Sequence, residues 1–212
     1  MVELILIRHG VTAWNLEKRF QGQIDTPLTD LGHEQAERTA DALSGEPVSC
    51  IYSSDLVRAQ QTALPIADNL GLPLLAEPSL RERNFGAFEG KTHTEIQANH
   101  PVDFARWQAR DLNYQFGGTG ETLAGFAKRV EYALNSIVKR SLSQTSGALK
   151  AIVVVTHGGV LNVVYSLAMQ EPLDLVKDEA NRPPIENASI NRIAWSDGQL
   201  RMIRWGDVDH LQ

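Results

Sequence analysis

Cysteine is nearly absent. Cys50 stands alone among 212 residues, so no internal disulfide can form and stability must come from a packed core. That usage fits a reducing compartment, and a cytoplasmic protein is expected. Long apolar runs are missing too: none approaches the roughly 20 residues that span a bilayer, and Glu3 and Arg8 break the first run before it reaches signal-peptide length. Basic charge is in deficit, with 20 Lys and Arg against 26 Asp and Glu and a formal net charge of −6. No block of like charge is present. Long-range attraction of nucleic acid or of an anionic membrane is therefore not expected, and any anion site has to be assembled locally. Repeats and low-complexity linkers are also lacking. What remains is 42% hydrophobic and 22% charged residues, ordinary for a globular chain long enough for one sizeable core.

Apolar segments at 3–7, 49–52, 151–155 and 190–195 predict strands. The third, Ala-Ile-Val-Val-Val, has no polar alternation and is expected in the middle of a parallel sheet, buried on both faces. Asp197-Gly198 predicts a hairpin turn from 190–195 into 200–205. Thr29 is placed to cap a helix reaching about Leu43. A second helix is expected from Asp55 toward Leu70, with a kink or break at Pro65, and a third from Thr122 to about Leu142 with one apolar stripe. Alternating strands and helices argue for an α/β fold with a mostly parallel sheet. Residues 88–121 depart from the alternation and predict an excursion of short helices and glycine-rich loop over the sheet edge. One domain over 1–212 is expected.

Two of the strands run into histidine. Segment 4–7 continues into Arg8-His9-Gly10, and 151–155 into Thr156-His157-Gly158-Gly159. Ligands of open α/β sheets bind beyond the carboxyl ends of strands, where strand order reverses. Gly158 and Gly159 precede an apolar, helical-looking segment whose first N–H groups would face an anion. Segment 49–52 leads into Ser-Ser-Asp-Leu-Val-Arg, setting Arg58 near the start of its helix. Arg8, Arg58, His9 and His157 around one helix terminus would suit a doubly charged anion, most simply a phosphoryl group.

Arg-His-Gly with Asn15, then RFQGQIDTPLTDLG, SSDLVRAQQTA, LRERNFGAFEG and VVTHGG, occur in the order of the histidine phosphatase superfamily. The chain resembles its phosphoglycerate-mutase-like branch over nearly its whole length. The resemblance implies a three-layer αβα sandwich and transfers roles by position. His9 matches the nucleophile that becomes phosphohistidine. Arg8, Arg58 and His157 match groups that hold phosphate oxygens, with Gly158 beside them. Glu82 matches the proton donor. Asn15, Gln21 and Gly22 match positions at the phosphate or substrate mouth. The chemistry is coherent: a neutral imidazole has a lone pair for attack, fixed cations stabilise the transferred phosphoryl, and a carboxylic acid protonates a poor leaving group.

Blander readings stand beside these. Asn15 could simply cap a turn, and Gln21-Gly22 could simply turn the chain. Glu77 and Glu89 rival Glu82, and Arg81 and Arg83 flank it awkwardly for an acid. Glu121 sits where the family has its substrate mouth. His33, His93, His100 and His210 are read as ordinary helix, loop or tail residues, and Trp107, Arg106, Arg110 and Tyr114 as packing and solvation. The expected activity is metal-independent hydrolysis of a small phosphorylated metabolite. The alternative is a phosphoglycerate mutase, the one case that would need a bisphosphate primer; no other cofactor is expected. The short excursion and FGAFEGKTHTEI favour the phosphatase. A metal-dependent phosphoesterase would need a ligand cluster that the spacing does not offer, and a non-catalytic phosphate-binding module would not need nucleophile, clamp and acid together. Monomer and homodimer are both open.

Overall fold

A computed structural model describes residues 1–144, 150–174 and 183–212. In chain order the elements are β1 (Val2–Arg8), α1 (Ala13–Leu16), α2 (Asp30–Ala42), β2 (Val48–Ser53), α3 (Val57–Leu70) and β3 (Leu74–Ala76). There follow α4 (His93–Asn99), α5 (Pro101–Gln108), α6 (Leu123–Gln144), β4 (Ala151–Thr156), α7 (Gly158–Met169), β5 (Ile190–Ser196) and β6 (Gln199–Asp207). The strands form one sheet in the order β3-β2-β4-β1-β5-β6. The first four run parallel, and β5 and β6 complete the sheet antiparallel.

The unbroken apolar runs of β1 and β4 are explained by cover on both faces. Leu4 and Leu6 pack with Phe126 and Val130 of α6 and Val160 of α7. Ile5 and Ile7 point the other way, onto Ala40 and Leu43 at the end of α2 and Ala63 and Ile66 of α3. All four β1 side chains are fully buried, each contributing about 1.5–3 kcal/mol relative to exposure. The result is the three-layer αβα arrangement.

Local rules explain most boundaries. The Thr29 side chain accepts the Gly32 N–H and starts α2. Asp197 and Gly198 both have positive φ, 51° and 86°, as the tight β5–β6 hairpin requires. Two expectations need correction. Helix α3 begins at Val57, whose N–H is accepted by Asp25 Oδ1 at 2.9 Å; the Asp55 carboxylate is instead engaged by Arg81 at 2.7 and 2.6 Å. The helix also runs through Pro65 to Leu70, so the chain does not break there. Proline removes one helical hydrogen bond, but Ala59, Ala63 and Ile66, all fully buried against the sheet, hold the helix on both sides of it. Strand β3 has no signal in the sequence; three residues are too few for a periodicity. The excursion contains α4 and α5 and has a small core of its own, in which Phe20, Phe88, Ile96, Phe104 and Phe116 pack with Trp107 and Tyr114. Among the described residues no helix is long and apolar enough to cross a membrane.

Candidate active site

Strands β1 and β4 are neighbours, with Arg8 in register with Thr156. The residues that follow them therefore emerge side by side: the His9 and His157 rings are 5.3 Å apart at 59°. From these two strand ends the chain departs to opposite faces, into α2 and α7, and that parting leaves a crevice at the sheet edge. Arg58 reaches it from the first turn of α3. His9 is 3% exposed, and His157 and Arg58 are fully buried.

His9 Nδ1 lies 2.7 Å from the Gly10 carbonyl oxygen. A carbonyl can only accept, so Nδ1 carries the proton and Nε2 keeps its lone pair. Burial, and then the charges of Arg58 and Arg8, hold its pKa well below the usual histidine value, so the imidazole is neutral near pH 7. His157 is held neutral in the same way, by burial first and Arg58 next. Its Nε2 is 2.8 Å from Ser54 Oγ; that hydroxyl accepts the Leu56 N–H at 3.3 Å and donates its own proton to Nε2, which puts the proton of the neutral ring on Nδ1. Arg58 donates to the carbonyls of Ile24 and Gly22 at 2.9 and 2.7 Å, and burial lowers its pKa to about 10. Arg8 donates to the Ile185 carbonyl at 2.6 Å.

These groups are incompletely satisfied. Among the described residues four buried side-chain nitrogens lack a hydrogen-bond partner, and three are Arg8 Nε, Arg58 Nε and His157 Nδ1. Burying such donors without partners is costly, and three in one place suit an anion. A cavity of about 140 Å³ lies there, bordered by Arg8, His9, Arg58, Glu82 and Gly158. His157 does not border it and meets the site through the His9 ring.

Glu82 sits at the far wall. Its Oε1 accepts the Arg83 N–H at 2.8 Å and its Oε2 the Gly159 N–H at 2.9 Å. That corrects one expectation: the first-turn N–H of α7 at Gly159 is taken by this carboxylate. It also explains the glycine, since a Cβ at Gly159 would lie 2.0 Å from Oε1. The flanking arginines turn elsewhere, Arg81 to Asp55 and Arg83 through Nε to the Glu121 carbonyl at 3.0 Å. Neither rival acid borders the cavity. Glu77 caps Ser79 and pairs with Arg140, and Glu89 accepts the N–H groups of Gln23 and Phe85. Glu121 accepts two hydrogen bonds from Arg129, at 2.8 and 2.6 Å.

Asn15, Gln21 and Gly22 all border the cavity. Local contacts occupy each of them as well. Asn15 Oδ1 accepts from the Thr12 N–H and hydroxyl, Gln21 Oε1 accepts from Thr26, and the Gly22 carbonyl holds Arg58. Gly22 has φ +53° and no room for a Cβ beside the Glu89 carboxylate. Sequence reasoning missed Arg19, Phe20, Phe85 and His93 in the same wall. His93, expected to be an ordinary helix residue, lies 4.5 Å from the ring of Phe20 and 5.0 Å from that of Trp107. Those partners are distant in sequence, and no local pattern signals them. His210 is likewise more than tail, with Nε2 3.2 Å from Thr39 Oγ1. Glu82, Phe85 and His93 also border a second, larger chamber of about 540 Å³ between the excursion and helices α6 and α7. Among the described residues no group of three or more His, Cys, Asp or Glu is placed to hold a metal ion.

The profile of the histidine phosphatase superfamily (branch 1) matches residues 4–208. The chain belongs to that superfamily. It is 36% identical to phosphoglycerate mutase-like protein 4 of Arabidopsis thaliana, over 99% of this chain and 87% of the relative. It is 34% identical to a metal-independent phosphoserine phosphatase of the same plant, over 100% and 84%. Among solved structures, Bacillus stearothermophilus YhfR superposes with a TM-score of 0.87 at 34% identity, covering 100% of both chains. The histidine phosphatase fold thus accounts for the two histidines at adjacent strand ends.

Proposed function

We propose that this histidine phosphatase is a phosphomonoester hydrolase that works through a phosphohistidine on a small phosphorylated metabolite. One observation carries the reading: the unpartnered nitrogens of Arg8, Arg58 and His157 surround a histidine whose Nε2 lone pair is free. Arg8 and Arg58 hold the phosphoryl oxygens, and His157, which does not border the cavity, supports the site through its contact with the His9 ring. His9 Nε2 attacks phosphorus, the ester P–O bond breaks, and Glu82 gives its proton to the leaving oxygen. Water then attacks phosphorus, its proton passes to the Glu82 carboxylate, the P–N bond breaks and phosphate leaves. The clamp acts on charge that develops in flight and needs no reorganisation. Asn15, Gln21 and Gly22 shape the mouth, and residues 1–212 act as one domain around a single sheet.

The mutase reading keeps a place because of the relative's name; it predicts turnover of phosphoglycerate that depends on a bisphosphate primer. Rapid quench with ³²P-labelled phosphomonoester tests the proposal. Acid-labile, base-stable label on His9 is expected, with release to water as phosphate. Active enzyme that never carries label would remove the phosphohistidine step. Glu82→Gln is expected to slow esters of poor leaving groups by about 10²–10⁴-fold and nitrophenyl phosphate far less.

A further inference from the structure

An arginine that borders neither cavity holds the segment carrying Glu82. Residues 81–85 lie between two single turns, Pro78–Leu80 and Gly86–Phe88, and are neither helix nor strand. No ladder therefore fixes the main chain at Glu82. Arg129 of α6 takes that part, and all five of its N–H groups are engaged. Two go to the Glu121 carboxylate, from Nε at 2.8 Å and Nη2 at 2.6 Å. The other three go to the carbonyls of Ser79, Arg81 and Glu82, at 2.9, 2.8 and 3.1 Å. The guanidinium lies over the Phe126 ring, 5.0 Å from its centre. Glu121 grips the chain beyond Glu82: its Oε2 accepts the Asn84 N–H at 2.9 Å and its carbonyl accepts Arg83 Nε at 3.0 Å.

The peptide between Glu82 and Arg83 links this brace to the reaction. Its carbonyl accepts from Arg129 Nη2 and, at 3.2 Å, from Gln23 Nε2. Its N–H is the one that Glu82 Oε1 accepts. A peptide is planar, so the groups that aim the carbonyl also aim the N–H, and with it one of the two hydrogen bonds that orient the Glu82 carboxylate. We infer that Arg129, itself held by Glu121, is a positioning residue that keeps the Glu82 carboxyl on the leaving oxygen. The inference rests on the hydrolase reading, in which Glu82 is the acid. A lysine cannot replace it fully, because one ammonium lacks the planar fork that spans three carbonyls and a carboxylate. Displacing a reacting group by about 1 Å can cost about 10²-fold in rate, and only steps that need the Glu82 proton would pay it.

The test reads the rate at which ³²P reaches the enzyme in the first turnover, from glycerol 3-phosphate, whose alcohol must be protonated, and from dinitrophenyl phosphate, whose phenol leaves without a proton. Arg129→Met is expected to lower the ratio of the first rate to the second by about 10²-fold, and Arg129→Lys by less. A brace that only stabilised the fold would slow both esters equally, and an unchanged ratio in folded Arg129→Met overturns the inference. Combining the substitutions makes the comparison stricter. In a Glu82→Gln background Arg129→Met should leave the ratio where Glu82→Gln put it, because the two act through one group; a further drop overturns the inference. Should Arg129→Met fail to fold, Arg129→Lys carries the same comparison, and an unchanged ratio refutes the assignment. An effect of Glu82→Gln without one of Arg129 sinks only this inference, whereas a ratio indifferent to Glu82→Gln removes the acid from the hydrolase reading and this inference with it.

Discussion

The two cavities that meet at Glu82 are built on different principles. The smaller rests on strand ends and the first turns of α3 and α7, so its groups are placed by sheet register, and its buried nitrogens carry unmet hydrogen-bonding capacity. The larger lies between α6 and α7 on one side and, on the other, aromatic residues of the excursion whose position depends on ring packing. Rings there adjust by repacking, while a strand end cannot move without breaking the sheet. On the proposed hydrolase reading, phosphoryl transfer belongs to the rigid strand ends and the leaving group to the side where the excursion can adjust.

The sharpest way to break that division is at the proposed nucleophile. His9→Ala should lower turnover by at least about 10⁴-fold for every ester alike, measured by steady-state phosphate release; a substrate-dependent loss would mean that the two cavities do not divide the work. Arg58→Met comes next, with about 10²–10³-fold lower kcat and a matching loss of vanadate affinity. Ser54→Ala sharpens the picture from behind the clamp. It leaves His157 Nε2 without its hydroxyl partner, and a net hydrogen bond of about 1 kcal/mol predicts a change near fivefold in phosphate inhibition, with ¹⁵N shifts of the His157 ring reporting the altered environment. The smallest effect is on stability. His9 and His157 are held neutral by burial when folded and take up protons on unfolding. Their contribution is fully present above the ordinary histidine value of 6.5 and declines as the pH falls toward the depressed folded values. Thermal melts from pH 7.5 downward should show this decline, and it should shrink in His9→Gln.

Legibility followed the same line. Strands β1 and β4 were readable because burial on both faces leaves an uninterrupted apolar run, and Arg8-His9-Gly10 and His157-Gly158-Gly159 stand out as costly residues at the ends of such runs. The hairpin at Asp197-Gly198 and the cap at Thr29 follow from local chemistry. The start of α3 was not legible because Asp55 is a good capping residue whose carboxylate is instead taken by Arg81, 26 positions away. Pro65 misled for a related reason, since packing against the sheet outweighs a local preference. His93 carried no signal, because its importance depends on Phe20 and Trp107.

By itself the sequence determined which residue types can do phosphoryl chemistry and that they end strands, because hydrophobic period and backbone preference are local properties. Tertiary structure alone decided that β4 lies beside β1 and that Glu82 rather than Glu77 or Glu89 borders the cavity. Those outcomes depend on which distant groups compete for each charge and hydrogen bond, and that competition exists only once the chain has closed on itself.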